Sequence, residues 1–394
     1  MRAHAYPSHR HAGCVHVLVI GAGAWGCSIA HHLALAGEKV TLVDKGGLAS
    51  GSSSKAAGVV SPLLWSETDV ALVRRSYRWF DERCCQGDVH LHHPGEVKLV
   101  RDESAVAGIE AHVAAWRAMD VPAELMSPAQ LRERFPALET TGIAAAVFTP
   151  EAGFLDPYQA ATQMVLAAKG HGLVVRQGLA VTGFHRNGGK ITAAVTEAGE
   201  IAADVVVLAA GTWTGKVAAM LGIRLPLKPY RAQALVTTPL PPQKIPVVHD
   251  ASTGTYFFQE EGGGILAGDG TQEREFDPDA FGTEADFDFV SEVTARVSSM
   301  LPAASGASFV RGWAGLCGAT PDREPLVGFH REASNLFIAC GDNGFGFMRS
   351  PALGECAAAV IRGETPPIRL DSFDVNRFRG DEEFAIHQGY TLGT

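Results

Sequence analysis

The sequence of 394 residues lacks the features of several common protein classes. It has no basic tract, and its 43 Asp and Glu outnumber its 33 Lys and Arg, so binding to nucleic acid has no support. It has no apolar run of the roughly 18 residues that a membrane helix needs. Its seven cysteines form no Cys-x-x-Cys pair, which favours free thiols in a reducing compartment over a disulfide framework. These absences predict a cytoplasmic protein and leave peripheral attachment to a membrane open.

The first 12 residues lack the apolar core of a signal peptide and are predicted to be a flexible tail. They contain His4, His9 and His11, but a loose tail is favoured over a metal site. No metal site is predicted elsewhere in the chain. Hydrophobic residues make up 46% of the sequence and charged residues 19%, which is enough apolar material for a large core and two domains.

A glycine-rich turn after the first apolar strand is the most informative feature of the chain. Residues 15–20 lead into Gly21, Gly23 and Gly26, and a helical stretch and a second apolar run then end at Asp44. In a dinucleotide-binding βαβ unit these glycines allow the tight turn, the approach of the backbone to the pyrophosphate, and close packing of the helix. The helix N-terminus attracts the phosphates, and an acid about twenty residues on accepts the ribose hydroxyls. The unit therefore predicts that the chain binds a dinucleotide.

NAD and FAD share this first unit, so other segments must distinguish them. The hydroxyl-rich loop of residues 46–58 could wrap a second time around a pyrophosphate, although an ordinary surface loop has the same composition. The apolar run 204–208 enters a turn of small residues, and a strand at 336–339 precedes the glycine-rich segment 341–348. Backbone amides at the start of the following helix can face an electron-rich ring or a developing anion. This second glycine-rich helix start favours FAD.

Five motifs follow one another along the chain: GAGAWG at 21–26, ASGSSSKAAG at 49–58, VLAAGTW at 207–213, TPDREPLVG at 320–328 and GDNGFGFMRSPALGE at 341–355. In this order they resemble the D-amino-acid-oxidase family of FAD-dependent oxidoreductases. This family includes glycine oxidase, sarcosine oxidase, and the proline, D-amino-acid and dimethylglycine dehydrogenases. The resemblance spans about residues 13–370 of the chain.

The resemblance implies an α/β fold with two domains interleaved along the chain. An FAD-binding Rossmann-like domain would carry a parallel sheet, and an α+β substrate domain would be built on an antiparallel sheet. Short apolar runs flanked by helices agree with a parallel sheet that is covered on both faces. The predicted bounds are 1–12 for the tail, 13–85, 151–225 and 310–372 for the FAD-binding domain, 86–150 and 226–309 for the substrate domain, and 373–394 for a C-terminal tail.

The resemblance also implies FAD as the cofactor. Some relatives attach it covalently through a histidine before Ala-Ala-Gly or a cysteine before Thr-Pro-Asp. Lys55 and Gly315 occupy these positions, so FAD is predicted to bind non-covalently, although Cys317 lies two residues from the second position. The predicted cofactor-binding residues are Gly21, Gly23, Ala24, Trp25, Gly26, Asp44, Lys45, Ser52, Ser53, Ser54, Lys55, Ala57, Gly58, Ala210, Gly211, Trp213, Asn343, Gly344, Phe345, Gly346, Phe347 and Met348.

The cations that bind a substrate carboxylate in the family are missing from their usual positions. Cys317 follows Trp-Ala-Gly-Leu where glycine oxidase and D-amino-acid oxidase have an arginine, and Met348 stands where sarcosine oxidase has a lysine. A buried carboxylate without a partner is costly, so another donor must serve or the substrate lacks a carboxylate. Glu275 or Phe276 aligns with the lysine that promotes reaction with oxygen in sarcosine oxidase. The lack of that lysine slightly favours a dehydrogenase.

Three residues are predicted to be catalytic. Arg231 begins a strand that lines the active site in relatives and is the first candidate for the carboxylate partner. Tyr256 aligns with a tyrosine that covers the substrate, and Lys55 should lie near the flavin ring. Two of them have a structural alternative, which is a surface or inter-domain salt bridge for Arg231 and a core or cross-strand position for Tyr256. Arg349 and His249 are weaker candidates.

The family resemblance implies oxidation of an amino acid or secondary amine of the glycine, sarcosine, proline or D-amino-acid type. The neutral amine would give a hydride from its α-carbon to flavin N5, and the resulting imine would hydrolyse in water. The expected partners are this small substrate and an electron acceptor, which is oxygen, a quinone or a carrier protein. A homo- or hetero-oligomer is open. The alternatives are a flavin enzyme for a non-amine substrate, a flavoprotein subunit of a heteromeric amine dehydrogenase and, less favoured, an NAD-dependent dehydrogenase.

Overall fold

The computed structural model of the protein describes residues 14–270 and 277–378. Within these ranges the strands are β1 (His16–Ile20), β2 (Lys39–Val43), β3 (Val59–Val60), β4 (Glu96–Val100), β5 (Glu124–Met126), β6 (Ala145–Thr149), β7 (Gly153–Phe154), β8 (Val174–Arg176), β9 (Val181–Asn187), β10 (Lys190–Thr196), β11 (Gly199–Ala202), β12 (Val205–Leu208), β13 (Lys228–Thr237), β14 (Val247–Asp250), β15 (Tyr256–Gln259), β16 (Ile265–Gly268), β17 (Phe309–Ala319), β18 (Leu326–Phe329) and β19 (Leu336–Cys340). The helices are α1 (Ala24–Leu35), α2 (Glu67–Cys85), α3 (Val106–Ala118), α4 (Pro128–Arg134), α5 (Pro157–Lys169), α6 (Thr214–Ala219), α7 (Phe287–Met300) and α8 (Gly346–Ile361).

A six-stranded sheet forms the first layer of the fold, in the order β18-β19-β12-β1-β2-β8. Every neighbouring pair is parallel except β18 and β19. The short strands β1 and β12 are almost completely buried because other elements cover both faces of the sheet, and α1 packs between the sheet and helices α5 and α8. The parallel sheet of a Rossmann-like domain, predicted from the sequence, is confirmed.

An eight-stranded sheet forms the second layer, in the order β17-β13-β16-β15-β14-β4-β6-β5. Its pairs are antiparallel except β14 with β4. Successive side chains of a strand point to opposite faces. Val97 and Leu99 of β4 therefore pack in one apolar cluster with Val293 of α7, and Glu96 and Lys98 lie on the opposite face.

The two layers are interleaved along the chain, as the resemblance implied. The six-stranded sheet draws strands from three separate segments, and the eight-stranded sheet draws its strands from the intervening ones. The domain bound predicted at residue 310 would assign β17 to the FAD-binding domain. In the structure β17 pairs along the whole of β13, from Lys228 opposite Ala319 to Thr237 opposite Phe309, so it completes the eight-stranded sheet.

Two smaller sheets complete the described fold. Strands β9, β10 and β11 form an antiparallel three-stranded sheet, and β3 pairs with β7. Across residues 14–270 and 277–378, every helix is too short or too polar to cross a membrane.

Candidate active site

A cavity of about 640 Å³ lies between the two large sheets. Its floor is made by the carboxyl ends of the parallel strands, where Ile20, Val43 and Cys340 line it. In open α/β sheets this edge is where ligands bind. The opposite wall comes from β4, β13, β14, β15 and β17 of the eight-stranded sheet.

The glycine turn after β1 fits the dinucleotide half of a cofactor. Gly21 has a positive φ of 107°, and a Cβ there would lie 2.5 Å from the Ala209 carbonyl oxygen. A Cβ at Gly26 would lie 1.8 Å from the Gly21 carbonyl oxygen, so α1 can approach β1 only without a side chain. At Gly23 the nearest atom to such a Cβ is Ser53 Oγ at 3.4 Å. The missing side chain at Gly23 therefore keeps the cradle open for a phosphate.

Polar contacts hold this cradle in place. The Asp44 carboxylate accepts hydrogen bonds from the N–H groups of Ala22 and Gly46, both at 2.7 Å, and carboxylate oxygens have further lone pairs for ribose hydroxyls. Ser53 Oγ accepts from the Ala24 N–H at 2.9 Å, which joins the hydroxyl-rich loop to the start of α1. Trp25 Nε1 donates to the Gly346 carbonyl at 2.6 Å and ties α1 to α8.

Most of the residues predicted to bind the cofactor line this one cavity. Gly26 does not, because it lies against β1, and Ser54 does not, because it is exposed and donates to the Gly51 carbonyl. Buried Asn343 also lies outside the lining, where its amide donates to Thr320 Oγ1 and the Gly341 carbonyl and holds the turn before α8. The predicted residues that line the cavity are Gly21, Gly23, Ala24, Trp25, Asp44, Lys45, Ser52, Ser53, Lys55, Ala57, Gly58, Ala210, Gly211, Trp213, Gly344, Phe345, Gly346, Phe347 and Met348.

Arg231 lies outside the cavity, contrary to its predicted role as the carboxylate partner. Its neighbours Tyr230 and Ala232 line the cavity, but its own guanidinium binds the segment before α7. It donates to the carbonyls of Gly282 and Glu284 and pairs with the Asp286 carboxylate at 2.5 Å. Arg231 forms the ion pair that was its predicted structural alternative, and its guanidinium is not placed to bind a substrate carboxylate in the cavity.

Tyr256 and Lys55, the other two predicted catalytic residues, line the cavity. Tyr256 on β15 stands opposite Gly268 on β16, and a Cβ at Gly268 would lie 2.5 Å from the tyrosine hydroxyl, so the glycine makes room for the ring. Burial raises the pKa of Tyr256, so its hydroxyl stays protonated. The Lys55 side chain lies along Gly315, and its carbonyl accepts from Trp313 Nε1 at 2.9 Å.

Lys98 brings a buried cation to the wall of the cavity. Its side chain projects from β4, the whole residue is 3% exposed, and its ammonium donates to the Leu63 carbonyl at 2.9 Å. The Nζ atom also lies 4.5 Å from the centre of the Trp65 ring. Burial lowers the pKa of Lys98, and the nearby Glu96 carboxylate opposes that shift. In the described ranges, one of the three ammonium donors has a protein acceptor.

Glu96 and His249 form a second buried polar group on the same wall. Glu96 accepts a hydrogen bond from Ser61 Oγ, and His249 Nδ1 lies 3.6 Å from Glu96 Oε1. Burial opposes ionisation of Glu96, but the contact with His249 and the charge of Lys98 outweigh it and lower the pKa of the carboxyl. Burial lowers the pKa of His249, which favours the neutral imidazole.

The sequence analysis did not select Glu96, Lys98, Ser61 or Trp65 as site residues. The pattern of β4 contained a signal, because the charged residues Glu96 and Lys98 alternate with Val97 and Leu99 in an otherwise apolar strand. Charged side chains are seldom fully buried without a partner or a function. Glu275 and Phe276, which were aligned with an oxygen-activating lysine, lie outside the described residues.

Cys317 lines the cavity two residues from the position of a covalent flavin tether. Burial, and then the charge of Asp342, raises the pKa of the Cys317 thiol. The thiolate is the nucleophilic form of cysteine, so this thiol is poorly suited to forming a bond with the flavin. Non-covalent binding of the flavin therefore stays our prediction.

We expect acid precipitation of the purified protein to release all of its flavin into the supernatant. The physical reason is that Lys55 and Gly315 stand at the tether positions and the Cys317 thiol is held protonated. Absorbance of the supernatant and flavin fluorescence of the pellet after gel electrophoresis measure the two fractions. A fluorescent protein band in the wild type that disappears in Cys317→Ser would contradict the prediction.

Arg349 follows the glycine-rich segment, but it lies outside the cavity lining and its contacts stabilise the fold. Its side chain is buried, pairs with Asp69 of α2 at 2.7 Å and donates to the Asp342 carbonyl at 3.1 Å. Glu324 lies beside this ion pair. Burial, and then the charge of Asp69, raises the pKa of Glu324 to about 7.

We expect Glu324→Gln to change the pH dependence of stability. The pKa of Glu324 is about 7 in the folded protein against an ordinary value of 4.5, so the folded state keeps a proton that the unfolded state has released. The wild type should lose stability relative to the variant as pH rises from 4.5 to 7, with no further change above. Melting temperatures across this range test it, with Glu133→Gln on the exposed side of α4 as the control. A pH-independent difference between wild type and Glu324→Gln would refute it.

The glycine turn at the carboxyl edge of the parallel sheet and the cavity between the two large sheets are features of a dinucleotide-binding protein. A family model described as FAD dependent oxidoreductase matches residues 16–360. The chain therefore belongs to the FAD-dependent oxidoreductase family, and its cofactor is FAD.

Individual relatives share a modest part of the sequence. The chain is 28% identical to 4-methylaminobutanoate oxidase (formaldehyde-forming) of Paenarthrobacter nicotinovorans over 93% of its own length but only 46% of that protein. It is 26% identical to glycine oxidase of Geobacillus kaustophilus over 92% of the chain and 97% of that protein. The solved structure of L-proline dehydrogenase from P. horikoshii superposes with a TM-score of 0.87 at 30% identity. The superposition covers 92% of the present chain and 97% of the chain of that structure. The chain thus spans about half the length of several curated relatives, and almost all of others.

Proposed function

We propose that the protein oxidises a small amino acid or secondary amine that carries a carboxylate. The observation that carries the proposal is Lys98, a buried cation on the cavity wall. It supplies the positive charge that is missing at Cys317 and Met348. This assignment replaces Arg231, whose guanidinium is held by the segment before α7.

The charge balance around Lys98 supports an anionic ligand. An ammonium buried among Trp65, Trp116 and Leu63 is costly unless an anion lies near it. Glu96, two residues away on the same face of β4, offsets part of this cost, but it is itself engaged by Ser61 and His249. A substrate carboxylate that accepts from the remaining Lys98 donors would complete the balance.

The same wall can bind and neutralise the amine. We propose that the Glu96 carboxylate attracts a substrate that arrives as an ammonium ion and offsets its charge. Tyr256, on the strand next to that of His249, would donate a hydrogen bond from its hydroxyl to the substrate. These roles place the cationic and anionic ends of an amino acid on two adjacent groups of one sheet.

Bound FAD would supply the two-electron acceptor for oxidation at the carbon next to the nitrogen. The part of the protein is to hold that carbon in one orientation and to keep water out. Apolar side chains of Leu63, Leu64 and Leu316 line the cavity beside the polar groups. The names of the relatives refer to glycine, proline and 4-methylaminobutanoate, and each of these compounds has an amine and a carboxylate.

The visible spectrum of the purified protein under anaerobic conditions tests this function. Glycine, sarcosine, proline and D-amino acids are added singly. Each is compared with the analogue that lacks its carboxylate, such as pyrrolidine for proline and dimethylamine for sarcosine. We expect at least one carboxylate-bearing amine to bleach the flavin band and its analogue to leave the band unchanged. Admission of air then tests the electron acceptor, since rapid return of the colour indicates an oxidase and slow return a dehydrogenase.

Two results would overturn parts of the proposal. Equal bleaching by pyrrolidine and proline would show that no carboxylate is recognised and would remove the role of Lys98. A flavin band that no amine bleaches would favour a non-amine substrate or a missing partner subunit. The second possibility has a relative to support it, since the chain is 25% identical to sarcosine oxidase subunit beta of Arthrobacter sp over 92% of its own length.

A further inference from the structure

We propose that His90, His92 and Glu261 form a binding site for a divalent transition metal, with Zn²⁺ the best match. The site lies on the surface of the substrate domain and shares no residue with the lining of the large cavity. One ligand atom from each of the three side chains lies within 4.8 Å of the other two. The proposal does not depend on the amine-oxidising function.

The spacing of the ligand atoms is close to that of a zinc site. His90 and His92 are two residues apart in an extended segment, so both imidazoles project to the same side, with ring centres 4.4 Å apart. His92 Nε2 lies 3.8 Å from Glu261 Oε2. Ligands at about 2.0–2.1 Å from a tetrahedral zinc ion are about 3.4 Å from one another. Ligand atoms within 4.8 Å of one another need to approach by at most about 1.4 Å, which the exposed side chains of His90 and Glu261 allow.

The backbone holds His92 in position before any ion binds. Its N–H donates to the Phe154 carbonyl at 2.9 Å and its carbonyl accepts from the Phe154 N–H at 3.2 Å. Its ring stacks on Phe154 with centres 4.7 Å apart, and Phe154 stacks in turn on buried Phe258 at 4.2 Å. Glu261 comes from the turn between β15 and β16, where the Glu260 N–H donates to the Gly264 carbonyl and the Gly263 N–H donates to the Glu260 carbonyl, both at 2.8 Å. The metal would join two segments that are 169 residues apart, from His92 to Glu261.

The ligand set suits zinc in chemistry as well as in distance. Two imidazoles and one carboxylate leave a fourth position for water or another oxygen ligand. An open depression beside the cluster is lined by Asp156, Tyr158 and Gln159, so solvent reaches that position.

A metal at this site would brace the strand that carries Tyr256. Strand β15 runs from Tyr256 to Gln259 and reaches Glu261 through the turn. On the other side, the segment of His90 and His92 leads into β4, which carries Glu96 and Lys98. The ion would connect these two strands on the surface, away from the cavity, and its expected effect is on the stability of the hairpin.

The proposal is tested by isothermal titration calorimetry with ZnCl₂ on the flavin-loaded protein of 394 residues, from which a chelator has first removed bound metal. We compare the wild type with Glu261→Gln and His92→Gln, and elemental analysis gives the zinc content of each. His185→Gln is the matched control, because His185 pairs with Glu200 at 2.9 Å on the surface and has no third ligand in the described ranges. His4, His9 and His11 are present in every variant, so any binding to them cancels in the comparison.

We expect the wild type and His185→Gln to bind one more equivalent of zinc than the other two variants, or to bind it at least tenfold more tightly. Zinc should also raise the melting temperature of the wild type more than that of Glu261→Gln. His92→Gln removes a stacked ring and could disturb the fold, so exposed Glu261→Gln decides the outcome. Equal stoichiometry and a Kd within twofold of wild type for Glu261→Gln would overturn the site.

Discussion

Lys98→Met is expected to raise the KM for a carboxylate-bearing amine by about 100-fold, because truncating one partner of a buried hydrogen-bonded charge pair costs about 2–5 kcal/mol. Methionine keeps much of the volume and the contact with Trp65 but removes the ammonium. The substrate carboxylate would then face the charge of Glu96 without a cation between them. The rate of anaerobic flavin bleaching as a function of substrate concentration measures this change.

Arg231→Met is the matched control for Lys98→Met. It also removes a cation from the eight-stranded sheet, but this guanidinium binds Asp286 and the carbonyls of Gly282 and Glu284 outside the cavity. We expect its KM to stay within about threefold of wild type, since a largely exposed acid is its partner. Flavin content and circular dichroism check that both variants fold. A wild-type KM in Lys98→Met would contradict the role of Lys98. A large increase in KM in Arg231→Met would favour Arg231 as the carboxylate partner.

Gly23→Val is expected to yield a folded protein with less than about a tenth of the wild-type flavin, because a side chain would occupy the place of the pyrophosphate. The backbone at Gly23 is extended, with φ −73° and ψ −178°, and valine adopts this conformation without strain. A Cβ there meets only Ser53 Oγ at 3.4 Å. The ratio of flavin to protein absorbance measures the loss, and circular dichroism measures the fold.

Gly26→Ala is the contrasting variant in the same motif. Its Cβ would lie 1.8 Å from the Gly21 carbonyl oxygen, so α1 must move away from β1. We expect little soluble protein from Gly26→Ala, against soluble but colourless Gly23→Val. Full flavin content in Gly23→Val would show that the cradle is not the phosphate site.

Much of the fold could be predicted because its signals are local. The run 15–20, the glycines after it and Asp44 lie within one βαβ unit, and short apolar runs predicted β12 and β19 from their own composition. The strand that begins near Arg231 was also predicted correctly as β13. The prediction that Arg231 reaches the cavity from this strand was wrong. The register between strands and the position of Asp286, 55 residues away, determine where the guanidinium lies.

Strand β4, which lines the cavity, also shows what the sequence can predict and what it cannot. The sequence of β4 establishes that Glu96 and Lys98 share one face, since side chains alternate along a strand. It does not establish which face packs on α7 and which meets the cavity, because Val293 comes from a helix almost two hundred residues later in the chain. The dinucleotide motif, the FAD family and strands such as β1, β2, β12 and β19 therefore follow from the sequence by itself, through residues close together in the chain. The proposed carboxylate partner and the His90–His92–Glu261 cluster depend on tertiary contacts between distant segments, which residue spacing does not encode.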